Sequence, residues 1–245
     1  MPLTGSMPKC CLLLDGRTLL EHQLDALAAN GIDDIVVVTG FGHRYVENLV
    51  NRVQGMSVRT LYNPFYALSD NLGTSWVARN EMKTPFLLIN GNTLFEPSAL
   101  TRLLCAERPY PITLATDRKE HYEDDDMKVS TDGDRLKRVG NKLPADIVNG
   151  ESVGMMVFDQ AGAVTFVQKV ESLMAGSDGL VRWYLSAVDE LAMTGIVGSR
   201  SIRGYGWCEI NDLNDLTDAE ASVQGWPSTT ESATHAVHPV QPDTL

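Results

Sequence analysis

The sequence predicts an α/β fold, a mainly parallel sheet with a small antiparallel lobe, and three observations carry that prediction. Apolar residues recur at helical spacing from residue 17, a continuous β-branched run, IVVVTG, follows at 35–40, and the strand–helix alternation repeats as far as residue 90. After about residue 110 the rhythm changes to short strands, two of them separated by the turn sequence TDGD at 131–134.

Taken in order, Leu19, Leu20, Leu24, Leu27 and Ala28 fall on one face of a first helix, and Asn30-Gly31 supplies its stop. The run at 35–40 suits a strand buried on both faces. A second helix over 43–53 points Tyr45, Val46, Leu49, Val50 and Val53 inward, and a strand around 57–61 follows. A helix over 69–80 and a strand over 85–90 complete the first half. Short strands follow at 111–116, 127–131 and 135–140, the last two a hairpin typical of an insertion or second lobe that covers a ligand, and a further strand spans 152–158. Helices near 160–173 and 180–194 and a strand at 196–202 come next, and Asp212 or Asn214 caps a short acidic helix. The sequence therefore reads as one domain over 1–226, and the Ser, Thr and Pro content of 227–245 predicts a disordered tail. There is no internal repeat.

A net charge of −12 argues against a nucleic-acid or anionic-membrane partner, both of which need a basic footprint. The four cysteines show no metal-ligand or disulfide-framework spacing, which predicts reduced, mostly buried thiols. No apolar run approaches membrane-helix length, and the first residues lack a signal-peptide pattern. A cytoplasmic location is the expectation.

In open α/β sheets ligands bind beyond the carboxyl ends of the strands. That rule places a site near Thr39-Gly40, Asn63, Gly91-Asn92 and the segment from Glu209 to Asp212. Taken singly, these residues have plainer readings. Lys9 reads as a solvated loop charge, Asn92 and Asn63-Pro64 as turn residues, and Glu123 to Asp126 as a solvated approach to a hairpin. Trp183, Tyr184, Trp207 and Tyr122 read as core or core-edge aromatics, or as a box whose ring faces attract a quaternary ammonium. His22, His43 and His121 are isolated.

Six stretches in order, MPKCCLLLDGRTLLEHQLDALAANGIDDIVVVTGF, NPFYALSDNLGTSW, FLLINGNTLFEP, EDDDMKV, NGESVGMMVF and WCEINDLNDL, resemble the sugar-phosphate-type nucleotidyltransferases. The similarity is closest to their phosphocholine cytidylyltransferase-like branch. It implies a Rossmann-like nucleotide-diphospho-sugar transferase fold and transfer of CMP from CTP to a small phosphorylated or phosphonate acceptor, with Mg²⁺ as cofactor. It also implies roles residue by residue. Lys9 contacts the phosphates; Asn63, Tyr66, Asn71, Thr74, Ser75 and Gly91 lie near the nucleotide; Lys128, Glu151, Trp183, Tyr184 and Trp207 face the acceptor; and Asn92 and Asn211, with Asp212 beside them, occupy the metal-ligand positions.

Three departures accompany the resemblance. The sequence begins where the family's Gly-rich GxGxR loop would end, so the first strand and phosphate cradle fall outside it. The expected metal-binding Gly-Asp is Gly91-Asn92, and the expected EID is Glu209-Ile210-Asn211. Neutral amides replace carboxylates at both positions, and hard cations favour carboxylates. Three readings remain: a cytidylyltransferase-like enzyme, a relative that binds ligand or a partner protein without turnover, and a sequence whose natural start lies upstream. A central sheet lacking a strand also predicts marginal stability, or a homodimer that covers the gap.

Overall fold

The structure, a computed structural model, describes residues 7–105 and 109–226. The predicted tail lies outside the described residues. A 3₁₀ turn, Lys9–Cys11, leads into a small hairpin of β1 (Leu13–Leu14) and β2 (Arg17–Thr18). Its two-residue loop requires left-handed backbone at both positions, which Asp15 (φ 49°) and Gly16 (φ 78°) supply. Helix α1 (Leu19–Ala29) starts on a capping box in which Thr18 and Glu21 satisfy each other's backbone amides. Leu19, Leu20, Leu24 and Leu27 are buried as expected, but Ala26 takes the inward place expected of the exposed Ala28.

Next come β3 (Asp34–Thr39), α2 (His43–Val50), β4 (Ser57–Tyr62), α3 (Asn71–Ala78) and β5 (Phe86–Ile89). β3 and β4 run parallel in register from Asp34↔Ser57 to Thr39↔Tyr62. Among the described residues they form a two-stranded sheet of their own, so the run expected to be buried on both faces is only half-buried. Tyr45, expected inward on α2, is exposed. A strand β6 (Thr93–Phe95) and helix α4 (Pro97–Leu104), with Pro97 in its first turn, had no counterpart in the sequence reading.

The remaining elements are β7 (Ile112–Asp117), the hairpin β8 (Lys128–Asp132) and β9 (Arg135–Gly140), β10 (Gly150–Phe158), α5 (Gln160–Met174), α6 (Tyr184–Met193), β11 (Val197–Ser201), β12 (Trp207–Glu209) and α7 (Leu213–Gln224). The six-stranded sheet has the order β5-β10-β7-β11-β9-β8, with β8 also pairing β10. Within it β11 and β7 are parallel and the other pairings antiparallel, so the α/β fold stands while its main sheet is mixed rather than mainly parallel. The reason is β10, which returns between β5 and β7 against both. The β8–β9 hairpin is accordingly stitched into this sheet instead of standing as a separate lobe.

β10 is the centre of the molecule, and all nine of its residues are buried. Met156 and Phe158 face Phe166, Val170, Leu185 and Val188 of α5 and α6. Val153, Met155 and Val157 face Leu27, Leu100 and Leu103 of α1 and α4. Helices therefore cover both faces, and the rings of Phe86 and Phe158 stack at 4.2 Å. All four cysteines are free; Cys11 is buried, Cys10 and Cys208 are half-buried, and Cys105 is exposed, against the expectation of mostly buried thiols.

Candidate nucleotide site

β6 and β12 form an antiparallel ribbon with the register Trp207↔Phe95, Cys208↔Leu94 and Glu209↔Thr93. One step further out, the Ile210 amide donates to the Asn92 carbonyl at 2.9 Å, so the turn before β6 and the segment after β12 lie side by side. The side chains close the arrangement. Asn92 Nδ2 donates to Glu209 Oε1 (2.8 Å) and Asn211 Oδ1 (3.0 Å), and Lys9 Nζ donates to the same Asn211 oxygen at 3.0 Å. Four residues from three distant segments thus converge on an exposed rim, with one ammonium, one carboxylate and two amides among them.

That donor set does not fit a resident divalent cation. Glu209 alone brings negative charge, and the Asn211 carbonyl oxygen accepts from two N–H donors. Asp212 is the N-cap of α7, its Oδ1 accepting from the Asn214 and Asp215 amides, while Asp215 Oδ2 accepts from the amides of Asn211 and Asp212. The carboxylate next to Asn211 is therefore committed to starting the helix. Among the described residues no group of three His, Cys, Asp or Glu side chains is placed to hold a metal ion.

A second group lies at the ends of β3 and β4. Asn63 is buried, and its side chain makes an Asx turn, Oδ1 accepting from the Phe65 amide at 2.9 Å while Nδ2 donates to Thr74 Oγ1 at 3.2 Å. Tyr66 is exposed and lies against Gly40, where a Cβ would come within 2.4 Å of the tyrosine's own. Asn71 Oδ1 accepts from the Tyr184 amide at 2.7 Å, and Ser75 Oγ donates back to the Asn71 carbonyl at 3.0 Å. Asn63 and Thr74 are thus brought together, while the Asn71 side chain ties α3 to α6 and the Ser75 hydroxyl bonds back within α3. Gly91 has open space where a Cβ would be.

The residues expected near an acceptor do not share one setting. Tyr184 is buried and its hydroxyl donates to Asn90 Oδ1 at 2.7 Å; burial first, and then the charge of Glu209, raises its pKa. Trp183 is tied through Nε1 to Asp70 Oδ2 (2.6 Å), and Trp207 through Nε1 to Asp117 Oδ2 (2.7 Å). The two indoles are thus held by different carboxylates at different elements. Lys128 Nζ donates to the carbonyls of Glu123 and Asn141 and so closes the hairpin approach. Glu151 is buried and ion-paired with Lys119 (3.0 Å), which also pairs with Asp126 (2.7 Å). Burial pushes the Glu151 carboxyl up, against the pull of Lys119.

Sequence reasoning missed Lys119 and Asp117 in this group. It also missed Asn90 and Gln23, which join Tyr184 and α1 to the Asn92 turn. Asn90 stands two residues before Asn92 in the quoted motif and was available as a signal; Gln23 reads as an ordinary helical glutamine.

A mixed sheet between helices with polar side chains gathered at its rim is an α/β fold with a candidate ligand site at its strand ends. The chain belongs to the MobA-like NTP transferase domain family, which matches residues 3–187. It is 27% identical over 224 residues to the bifunctional IPC transferase and DIPP synthase of Rubrobacter xylanophilus, covering 89% of this chain and 48% of that protein. The chain spans about half the length of that relative. Among solved structures, the inositol-1-phosphate CTP transferase of T. maritima superposes with a TM-score of 0.75 at 20% identity, covering 92% of this chain and 91% of the other. The CTP:phosphocholine cytidylyltransferase of Streptococcus pneumoniae does so at 0.72 and 18% identity, covering 91% and 92%. Among the described residues no helix is long and apolar enough to cross a membrane.

Proposed function

We propose that the protein transfers a nucleotidyl group, CMP from CTP, to a small phosphorylated or phosphonate acceptor. An oxygen of the acceptor's phosphate or phosphonate attacks the α-phosphorus, a new P–O bond forms, the bond from the α-phosphorus to the bridging oxygen breaks, and pyrophosphate leaves. Such chemistry asks the protein for positioning and charge neutralisation more than for covalent work. The observation that carries the reading is the convergence of Lys9, Asn92, Glu209 and Asn211 at the rim, with the Lys9 ammonium 3.0 Å from Asn211 and 202 residues away from it in sequence. In this reading Lys9 trades its bond to Asn211 for triphosphate oxygens, which counters negative charge as it develops on the leaving group. The amides of Asn92 and Asn211 supply neutral hydrogen bonds, and no step is routed through a metal ion.

The relatives support the class of reaction, since both solved structures named above carry CTP-dependent transfer in their names. Asn63, Thr74 and Tyr66 stand on the nucleotide side, and Glu151, Lys119 and Trp207 on the acceptor side. A second reading, ligand binding without turnover, is favoured by one observation, the pair of amides at Asn92 and Asn211.

Pyrophosphate release separates the two. CTP would be incubated, with and without Mg²⁺, with phosphocholine, 2-aminoethylphosphonate, inositol 1-phosphate or glucose 1-phosphate. Release with one acceptor above the acceptor-free rate is the expected result. CTP binding without release from any of the four would leave the binding reading, and no CTP binding at all would refute both.

A further inference from the structure

The geometry points to Gln23 as a positioning residue that sets the Asn92 turn, and with it the Lys9–Asn211–Asn92 arrangement. The inference rests on the nucleotidyl reading for its functional meaning but on hydrogen bonds alone for its structural content. Gln23 is buried in the middle of α1, and its Nε2 donates to two backbone carbonyls at once, Asn90 at 2.9 Å and Thr93 at 2.7 Å. Those two residues bracket Gly91-Asn92. Both partners are carbonyl oxygens, so both hydrogens of a carboxamide are required, and the orientation of the amide follows from its partners.

On the β12 side the turn is tied by the Ile210 amide to the Asn92 carbonyl, by the Asn92 side chain and by the Glu209↔Thr93 pairing, and on the side of the protein's core by a few hydrogen bonds. Asn90 is held by its amide to the Gly154 carbonyl (2.9 Å) and by its Oδ1 to Tyr184, and Thr93 Oγ1 donates to the Val153 carbonyl at 3.3 Å. Among the described residues only Gln23 donates from one side chain to the carbonyls at both ends of the turn. The same helix also fixes Lys9. The Leu19 amide donates to the Leu12 carbonyl (2.9 Å), and the Leu12 amide to the Lys9 carbonyl (3.0 Å). Leu19 and Gln23 are one turn apart on one face of α1, so a single rigid face positions both halves of the site.

The test uses the full chain and two substitutions. Gln23→Glu keeps the shape but faces a carboxylate, or at best a single O–H, toward two carbonyl oxygens; Gln23→Met keeps the volume and removes the donors. Hydrogen–deuterium exchange is read in peptides covering 90–95, 208–212 and 160–174. Both variants are expected to speed exchange at 90–95 and 208–212 by about tenfold while leaving 160–174 in α5 unchanged. CTP affinity, read by calorimetry, is expected to fall by a similar factor. Unchanged exchange at 90–95, or a rise spread equally over all three peptides, would overturn the inference, because a merely structural glutamine would weaken the fold as a whole. Absence of CTP binding by the unsubstituted protein would refute the nucleotidyl reading, and the exchange result then decides the role of Gln23 by itself.

Discussion

β10 and β3 carry similar apolar residues and meet different fates. β10 has strands on both sides, helices on both faces and no exposed residue, whereas β3 has one strand partner among the described residues and side chains that are mostly half-buried. Burial of an apolar strand thus depends on what pairs with it and covers it as much as on its own composition. The difference has a functional side. The buried half holds the Asn92 turn through Gly154, Val153 and Tyr184. The less buried half carries Asn63 and a group of exposed aromatics, Phe41, Tyr62, Phe65 and Tyr66.

The largest expected effect lies in the β10 half. Phe158→Ala, which removes a fully buried ring stacked on Phe86, is expected to cost about 3–5 kcal/mol in urea unfolding. Gly154→Ala comes next. Its φ of 77° disfavours any Cβ, and that atom would sit 2.7 Å from Asn90 Nδ2 and 2.8 Å from Thr93 Oγ1. Roughly 2 kcal/mol of stability is expected to go, together with displacement of the Asn92 turn.

A matched pair sharpens the comparison most directly. Val153→Ala on β10 is expected to cost about 2 kcal/mol, and Val37→Ala on β3 about 1 kcal/mol or less, because less apolar area returns to water there. Equal losses would break the comparison.

The smallest effect is electrostatic. Burial raises the Glu151 carboxyl, so the folded state holds that proton more tightly than the unfolded chain. The stability this contributes is complete below the ordinary glutamate value and is lost as pH rises through the raised folded value. Glu151→Gln is therefore expected to flatten the part of the unfolding free-energy curve that lies above the ordinary glutamate value. An unchanged slope would contradict the assignment.

Much of this was legible in the sequence, for identifiable reasons. α1, α5 and α6 announce themselves by periodicity, α1 also by its Asn30-Gly31 stop, and β3, β5 and β10 by apolar runs. β1, β2, β6 and β12 do not, since two or three residues carry no measurable period and each forms because a partner strand pairs with it. The separation of β3–β4 from the main sheet is equally invisible locally, because an apolar run does not name its neighbours. Lys9, Asn92 and Asn211 were found through an ordered set of motifs, and the structure brings them together. Gln23 was not found, because a buried glutamine whose partners lie 67 and 70 residues away has no local signature.

The central claim is that the rim cluster receives the nucleotide's phosphates through Lys9. Calorimetric titration of CTP into the unsubstituted protein and into Lys9→Met tests it most directly. Lys9 is exposed in its bond to Asn211, so the substitution is expected to leave the melting curve in place while weakening CTP binding by about tenfold or more. CTP binding of equal strength in both proteins would contradict the account.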